Sequence, residues 1–284
     1  MTEITQAELQ QKQNWKLTVA YDGTDFNGWQ VQPEKPTIQG ELQAALKRLV
    51  GEDPLPQGSG RTDAGVHALA QVASVELQGR IPAANLVRAL NRTLPGSIRV
   101  LEAKVVQSSF HARHSAVAKT YEYRVLPIEP AAEQICPPFL ARYVYPYSWK
   151  VDLELLQRGA AVFVGEHDFR SFAASDPDAA TRASEEEAVV QIQIRGAVRR
   201  VFSSEWSTQR LDGFEVLVYR VRGNGFLHHM VRNLVGTLLD VGRGYIDVDD
   251  LPGVLAAQDR SAAGPTAPAR GLFLHSVEYE ETSL

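Results

Sequence analysis

Cysteine is almost missing from this 284-residue chain, where Cys136 stands alone. An intramolecular disulfide is therefore impossible, and neither a thiolate metal cage nor an oxidising compartment is suggested. No apolar run reaches the roughly 20 residues that a membrane-spanning helix needs. A basic excess is lacking too, since 29 Lys and Arg face 34 Asp and Glu for a formal net charge of −5. A Walker loop, a dinucleotide-binding glycine fingerprint, a Gly-x-Ser-x-Gly elbow and a His-Glu-x-x-His helix are all absent. Readings built on ATP, NAD, serine-esterase or zinc-protease chemistry thus lose their support. His111, His114 and the pair His228-His229 have no cysteine partner, which disfavours metal ligation, and His67, His111 and His114 read as polar contacts to a ligand or as satisfied neighbours of backbone groups. Met1 to Asn14 lacks the basic-then-apolar pattern of a signal peptide and reads as a mobile tail, with the cytoplasm as the default location.

Charge is unevenly spread over what is present. Between Arg88 and Arg124 there are seven basic residues (Arg88, Arg92, Arg99, Lys104, Arg113, Lys119, Arg124) against Glu102 and Glu122, a local +5, while the rest of the chain carries −10. Attraction is local and screened within about 10 Å, so a basic patch on an acidic protein can still bind a polyanion. Arg88, Arg92 and Arg113 are candidates for such a surface, and a solvated basic face is the bland alternative. The segment 173–187, with Asp176, Asp178 and Glu185-Glu186-Glu187, is expected to be an acidic mobile loop that repels phosphate.

Apolar periodicity alternates between the strand and helix repeats. Leu17, Val19 and Tyr21 predict a strand near 15–22, and Ile38, Leu42, Ala45, Leu46 and Leu49 predict a helix. A strand near 69–77, a helix opening at Pro82 and a strand near 97–106 complete a first half, residues 15–117. The second half, 118–284, opens with the strand carrying Tyr121, Tyr123 and Val125. A helix capped by Asp152 and ended by Gly165 follows, then strands near 188–204 and 214–221. A helix from Phe226 to Gly242 and a strand over 273–279 close the chain. Five prolines between Leu126 and Lys150 rule out regular structure over most of that arm. The element order predicts an α+β fold of two ferredoxin-like, split βαβ halves whose sheets meet, with ligands at the seam.

Chemistry concentrates in Gly58-Ser59-Gly60-Arg61-Thr62-Asp63-Ala64-Gly65-Val66-His67-Ala68. This glycine-flanked turn holds one guanidinium and one carboxylate where bulky neighbours cannot hide them. Arg61 suits phosphate and base edges, and His67 suits a polar ligand contact. Arg232 lies in Phe226-Leu227-His228-His229-Met230-Val231-Arg232-Asn233, an otherwise apolar helix on which it would share a face with His228, Val235 and Leu239. A guanidinium there either pairs with a carboxylate, for which Asp63 is available, or points to water at the edge of the helix.

Several blocks, in order, resemble the tRNA pseudouridine synthase A family from about Trp15 to Tyr279. They are Tyr21-Asp22-Gly23-Thr24 with Gly28-Trp29-Gln30, Gly60 to Ala68, Leu90-Asn91 with Leu94-Pro95, and Phe110-His111-Ala112-Arg113. Lys119-Thr120-Tyr121-Glu122-Tyr123, His167-Asp168-Phe169, His228 to Asn233 and Thr266-Ala267-Pro268 complete the set. The tail before Trp15, Gly96-Ser97 where an acidic residue is common, and the acidic loop after Phe172 depart from the family pattern.

The resemblance implies a cofactor-free isomerase that turns uridine into pseudouridine at positions 38, 39 and 40 of the tRNA anticodon stem-loop, acting on a base flipped from its stack. It implies Asp63 as catalytic aspartate, Tyr121 as the active-site tyrosine that stacks on the uracil, and Arg61 as the side chain that fills the vacated space. Arg232 joins them as the carboxylate's partner. A homodimer in which one tRNA touches both subunits is implied as well, with no membrane and no DNA involved. A non-catalytic structured-RNA-binding protein and a metal-dependent hydrolase are the rival classes. The intact set of Arg61, Asp63, Tyr121 and Arg232 disfavours the first.

Overall fold

A computed structural model describes residues 12–79, 81–129, 134–174 and 196–280. The chain divides into two compact units, Met1–Lys119 with Phe273–Leu284, and Thr120–Leu272. Each contains strands and helices, an α+β composition. The last strand belongs to the first unit, although its place in the chain puts it with the second half.

In the first unit, β1 (Lys12–Tyr21) places Trp15, Leu17, Val19 and Tyr21 in the core while the residues between them stay partly exposed, the period-two pattern that the sequence shows. The strand starts three residues before Trp15, inside the stretch read as a tail, and residues 1–11 lie outside the described ones. Helix α1 (Ile38–Val50) starts where Thr37 Oγ1 accepts the Gly40 N–H, and it buries Ile38, Leu42, Ala45 and Leu46. Burial of Ile38, Leu42 and Leu46 contributes about 2 kcal/mol each.

Strands β2 (Gln57–Gly58), β3 (His67–Gln78) and β4 (Ile98–Val106), with helix α2 (Ala83–Thr93) packed against β4, continue the unit. The strand order is β4-β1-β3-β10, where β10 is Leu272–Tyr279, and β2 pairs with β3. The β1 pairings with β3 and β4 are antiparallel, whereas β10 joins β3 in parallel through Phe273 opposite His67. Pro82 caps α2 from outside and is not its first residue.

In the second unit the order is β5 (Ala116–Pro127), β9 (Phe214–Gly223), β8 (Val198–Leu211) and β7 (Gly165–Asp168). Asp212 and Gly213, both at positive φ, turn β8 into β9 in the way a two-residue hairpin requires. Helix α4 (Leu153–Val162) is capped by Asp152 Oδ1, which accepts the Glu154 and Leu155 N–H groups, and it packs against α5 (Met230–Gly242). The short helix α6 is Leu251–Ala257.

Two expectations need correction, at Gly165 and at the start of α5. Gly165 does not end α4 but opens β7, a strand too short for periodicity to reveal. The proline-rich arm, irregular over most of its described residues as expected, holds a short helix, α3 (Pro138–Ala141), and a strand, β6 (Tyr145–Tyr147), that pairs in parallel with β5. Both form because Leu140 and Val144 join a core with Leu126, Val216 and Val218, so tertiary burial outweighs local propensity. Helix α5 begins at Met230, and His228-His229 form the turn before it, so His228 shares no helical face with Arg232. Residues 175–195, which include most of the expected acidic loop and the start of the expected strand near 188–204, lie outside the described residues.

One polar group in this sheet carries weight. Glu122 is 2 % exposed and accepts hydrogen bonds from Arg124 Nε at 2.8 Å and from Arg220 Nε at 2.8 Å. Burial pushes its pKa up, but the two guanidinium groups outweigh burial and hold the carboxyl below its ordinary value near 4.5. A depressed carboxyl pKa contributes stability that is present above the ordinary value and is lost as pH falls through the folded one. Glu122→Gln should therefore cost about 1–3 kcal/mol at neutral pH. In thermal denaturation, the gap between variant and parent should narrow as pH drops below about 4.5.

Candidate active site

The glycine-flanked run lies between β2 and β3 as a loop with no ladder of its own, so its backbone polar groups need partners elsewhere. They find them in the segment 22–30 and in nearby side chains. Trp29 N–H donates to Thr62 O at 3.0 Å, Gly65 N–H to Phe26 O at 3.3 Å, and Val66 N–H to Asp63 O at 3.1 Å. Gln71 Nε2 donates to Gly60 O at 3.0 Å, and Ser59 Oγ donates to Gln71 Oε1 at 2.7 Å. Thr62 is buried and shares a 2.8 Å hydrogen bond with the Tyr21 hydroxyl, whose pKa burial pushes up to about 12, keeping it neutral.

This lacing depends on close backbone approach. A Cβ on Gly23 would lie 1.9 Å from Val66 O. At Gly28, which sits at φ +87°, a Cβ would lie 2.5 Å from Thr62 O and 3.1 Å from the Asp63 carbonyl carbon. The glycines of the Tyr21-Asp22-Gly23-Thr24 and Gly28-Trp29-Gln30 blocks are thus required by the loop that carries Asp63. Asp63 itself is half-buried, and Arg61 is exposed with Nε donating to Gln30 Oε1 at 3.1 Å.

His67 satisfies a backbone group, one of the two roles that the sequence allows it. Its side chain is 1 % exposed, Nδ1 accepts the Gly23 N–H at 3.1 Å, and the ring stacks on Phe273 at 4.7 Å. A residue so enclosed fixes the turn after β1 to the start of β3. His111 is similarly occupied, its Nδ1 accepting the Arg113 and His114 N–H groups.

The second unit presents two of the proposed residues. Tyr121 is half-buried on β5, edge-on to Phe226 with ring centroids 5.0 Å apart. Arg232 is partly buried on α5 and does not simply point to water. Its Nε donates to Ala267 O at 2.7 Å, and the Ala267 N–H returns a bond to Arg232 O at 3.1 Å. The next residue, Asn233, is fully buried and escaped notice in the sequence. Its Nδ2 donates to Phe172 O at 2.7 Å, and its Oδ1 accepts from Thr266 Oγ1 at 2.6 Å and Arg260 at 3.1 Å. The signal was available, because a lone amide inside an apolar helix has to be satisfied by something.

The basic stretch is less available than its charge suggests. Lys104 pairs with Glu102, Arg124 with Glu122, and Arg99 donates to the carbonyls of Pro95 and Ile98. Arg88 and Arg92 on α2, and Arg113 on the loop after β4, remain exposed.

Comparison with known proteins decides what this arrangement belongs to. A model of the family described as tRNA pseudouridine synthase matches residues 17–115 and 160–280, which takes in the loop with Asp63 and the α5 segment with Arg232. The chain belongs to the tRNA pseudouridine synthase family. It is 48 % identical over 267 residues to the tRNA pseudouridine synthase A of Solibacter usitatus, covering 93 % of this chain and 98 % of that one. The corresponding proteins of Moorella thermoacetica and Bacillus pumilus are 42 % and 40 % identical, with the same coverage of 93 % and 98 %. The lacing around Asp63 lies within the first of the matched segments, and it can be tested as a determinant of activity. Gly28→Ala should push the loop off its anchors and lower kcat by about 10- to 100-fold. Gly51→Ala, at φ +73° but with nothing within 4 Å of a Cβ, should cost only about 1 kcal/mol of stability and leave kcat near wild type. Steady-state kinetics and melting curves on both variants check the contrast.

Proposed function

We propose that this synthase converts uridine to pseudouridine in the anticodon stem-loop of tRNA, at positions 38, 39 and 40, with Asp63 as its catalytic carboxylate. The observation that carries the proposal is the loop Gly60 to Ala68, in which Asp63 is borne on a backbone held from outside at Gly60, Thr62 and Gly65, inside the segment that the family match covers. The reaction breaks the N1–C1′ bond, turns the uracil and joins C5 to C1′, with the C5 proton lost and N1 protonated. No redox equivalent or cofactor is needed. Attack on C1′, addition to the base and removal of the 2′-proton are three routes to the same product, and each uses an ionised carboxylate held against the nucleotide.

Around that carboxylate, Tyr121 stacks on the flipped uracil, as its half-buried ring on β5 permits, and takes part in proton transfer. Arg61, exposed beside Gln30, enters the space the base leaves. Arg232 acts as the cationic partner of the aspartate. Arg88, Arg92 and Arg113 contribute phosphate contacts. The same reading brings two ferredoxin-like halves flanking an RNA-binding cleft, and a homodimer across which one tRNA is held. Among the described residues no helix is long and apolar enough to cross a membrane.

Incubating purified protein with unmodified tRNA, without added metal or nucleotide, and mapping pseudouridine at nucleotide resolution tests the reading directly. Asp63→Asn keeps the shape and removes the anionic oxygen, so product should fall to background while tRNA binding persists. Turnover by the pure variant would refute the assignment. Arg232→Ala should lower the rate more than it weakens binding, with Arg232→Lys recovering only part of the loss. Arg88→Ala combined with Arg92→Ala should weaken binding of all substrate tRNAs alike and flatten the slope of log affinity against log salt by about 1–2.

A further inference from the structure

Lys119 is an unusual residue for the surface of a sheet. It lies at the inner end of the first unit's share of β5, two residues before Tyr121, and its ammonium reaches back to the loop between β2 and β3. There Nζ donates to Ser59 O at 2.5 Å. The next residue is Gly60, where a Cβ would come within 2.9 Å of Nζ and would press the ammonium off its present position. Gln71 takes the following carbonyl, that of Gly60, so two successive loop carbonyls are held by side chains, one charged and one neutral. Three residues further on is Asp63.

We propose that Lys119 is a positioning residue for the pseudouridine synthase reaction, its charged ammonium clamping the Ser59 carbonyl so that the segment from Gly60 to Asp63 leaves it in one direction. A charge-assisted hydrogen bond is about twice as strong as a neutral one, and a loop held at 59, 60, 62 and 65 has little freedom left to misplace its carboxylate. Burial, and Arg113 as the charged neighbour acting on it, push the Lys119 pKa from 10.5 down to about 8. The clamp therefore carries its charge below about pH 8 and passes to the weaker neutral form above it.

The inference rests on the assignment of catalysis to the Asp63 loop, and Asp63→Asn run in parallel separates the two, because turnover by that variant overturns the assignment itself. The test measures kcat and KM on unmodified tRNA from pH 6.5 to 10 for wild type, Lys119→Met and Lys119→Arg, with a melting curve for each. Lys119→Met should lower kcat about tenfold or more with KM changed less than about threefold, and should lose the alkaline fall in kcat near pH 8. Lys119→Arg should restore most of kcat and move that fall beyond the accessible range, since a guanidinium does not titrate there. A folded Lys119→Met with wild-type kcat and pH profile overturns the proposal. Should Lys119→Met fail to fold, a folded Lys119→Arg whose alkaline limb stays at the wild-type position overturns it equally.

Discussion

Backbone carbonyls in a loop without a ladder have to be satisfied, and the loop from Ser59 to Val66 meets that demand by borrowing donors from four places. Lys119 and Gln71 supply side-chain donors, Trp29 and Val66 supply backbone ones. Each bond is modest, about 1 kcal/mol net for the neutral ones and about twice that for the one from Lys119, yet together they remove the conformational freedom that a glycine-rich segment would otherwise keep. Ordering of the Asp63 backbone is therefore achieved at the folding step, which is the preorganisation that the proposed role of its carboxylate would require. The rest of the first unit is arranged around this need. Tyr21 ends β1 with a buried hydroxyl on Thr62, Gly23 and Gly28 let two backbones touch, and His67 ties the turn after β1 to the strand that follows the loop.

The second unit uses the same device on a helix. Helix α5 buries Asn233, Thr237 and Asp240 among its apolar residues, an expensive choice unless every polar atom is used. Asn233 spends its amide on Phe172, Arg260 and Thr266, and Thr237 Oγ1 accepts the Gly264 N–H. The irregular segment 260–268 is thereby fastened to a rigid helix, and Arg232 and Ala267 exchange bonds at its end. Glu122 plays the analogous part on the sheet, where a carboxylate cut off from water orders two arginines. Buried polar groups here are the means by which loops acquire the definition of regular elements.

Charge distribution follows from this use of side chains. The basic stretch between Arg88 and Arg124 contains cations with two kinds of employment. Lys119 and Arg124 are committed to internal acceptors, and Arg99 to nearby carbonyls, while Arg88, Arg92 and Arg113 stand in solvent. Only the second kind can release counterions from a polyanion. A net charge of −5 is thus compatible with an RNA-modifying family, because locally exposed arginines count for more than the sum over the chain.

Periodicity in the sequence determined the long elements. Strand β1, helices α1, α2 and α4, the β9 strand and β10 all lie within a few residues of where alternating or helical apolar spacing puts them, because each buries one face and the pattern of that face is written locally. The run Gly60 to Ala68 and the blocks around it likewise mark the family without any coordinates. What the sequence could not supply was whatever depends on residues distant along the chain. Strands β6 and β7, the first too close to prolines and the second too short, form only because partners exist for them in β5 and β8. That His67 accepts the Gly23 N–H and stacks on Phe273, 206 residues later, is not written in any local pattern. Lys119 counts as one more surface cation until the Ser59 carbonyl, 60 residues away, is found at its tip. Local pattern fixes which face of an element is apolar. Only the assembled fold decides which polar atoms meet, because a hydrogen bond needs both partners within about 3 Å and the chain does not record that distance along its length.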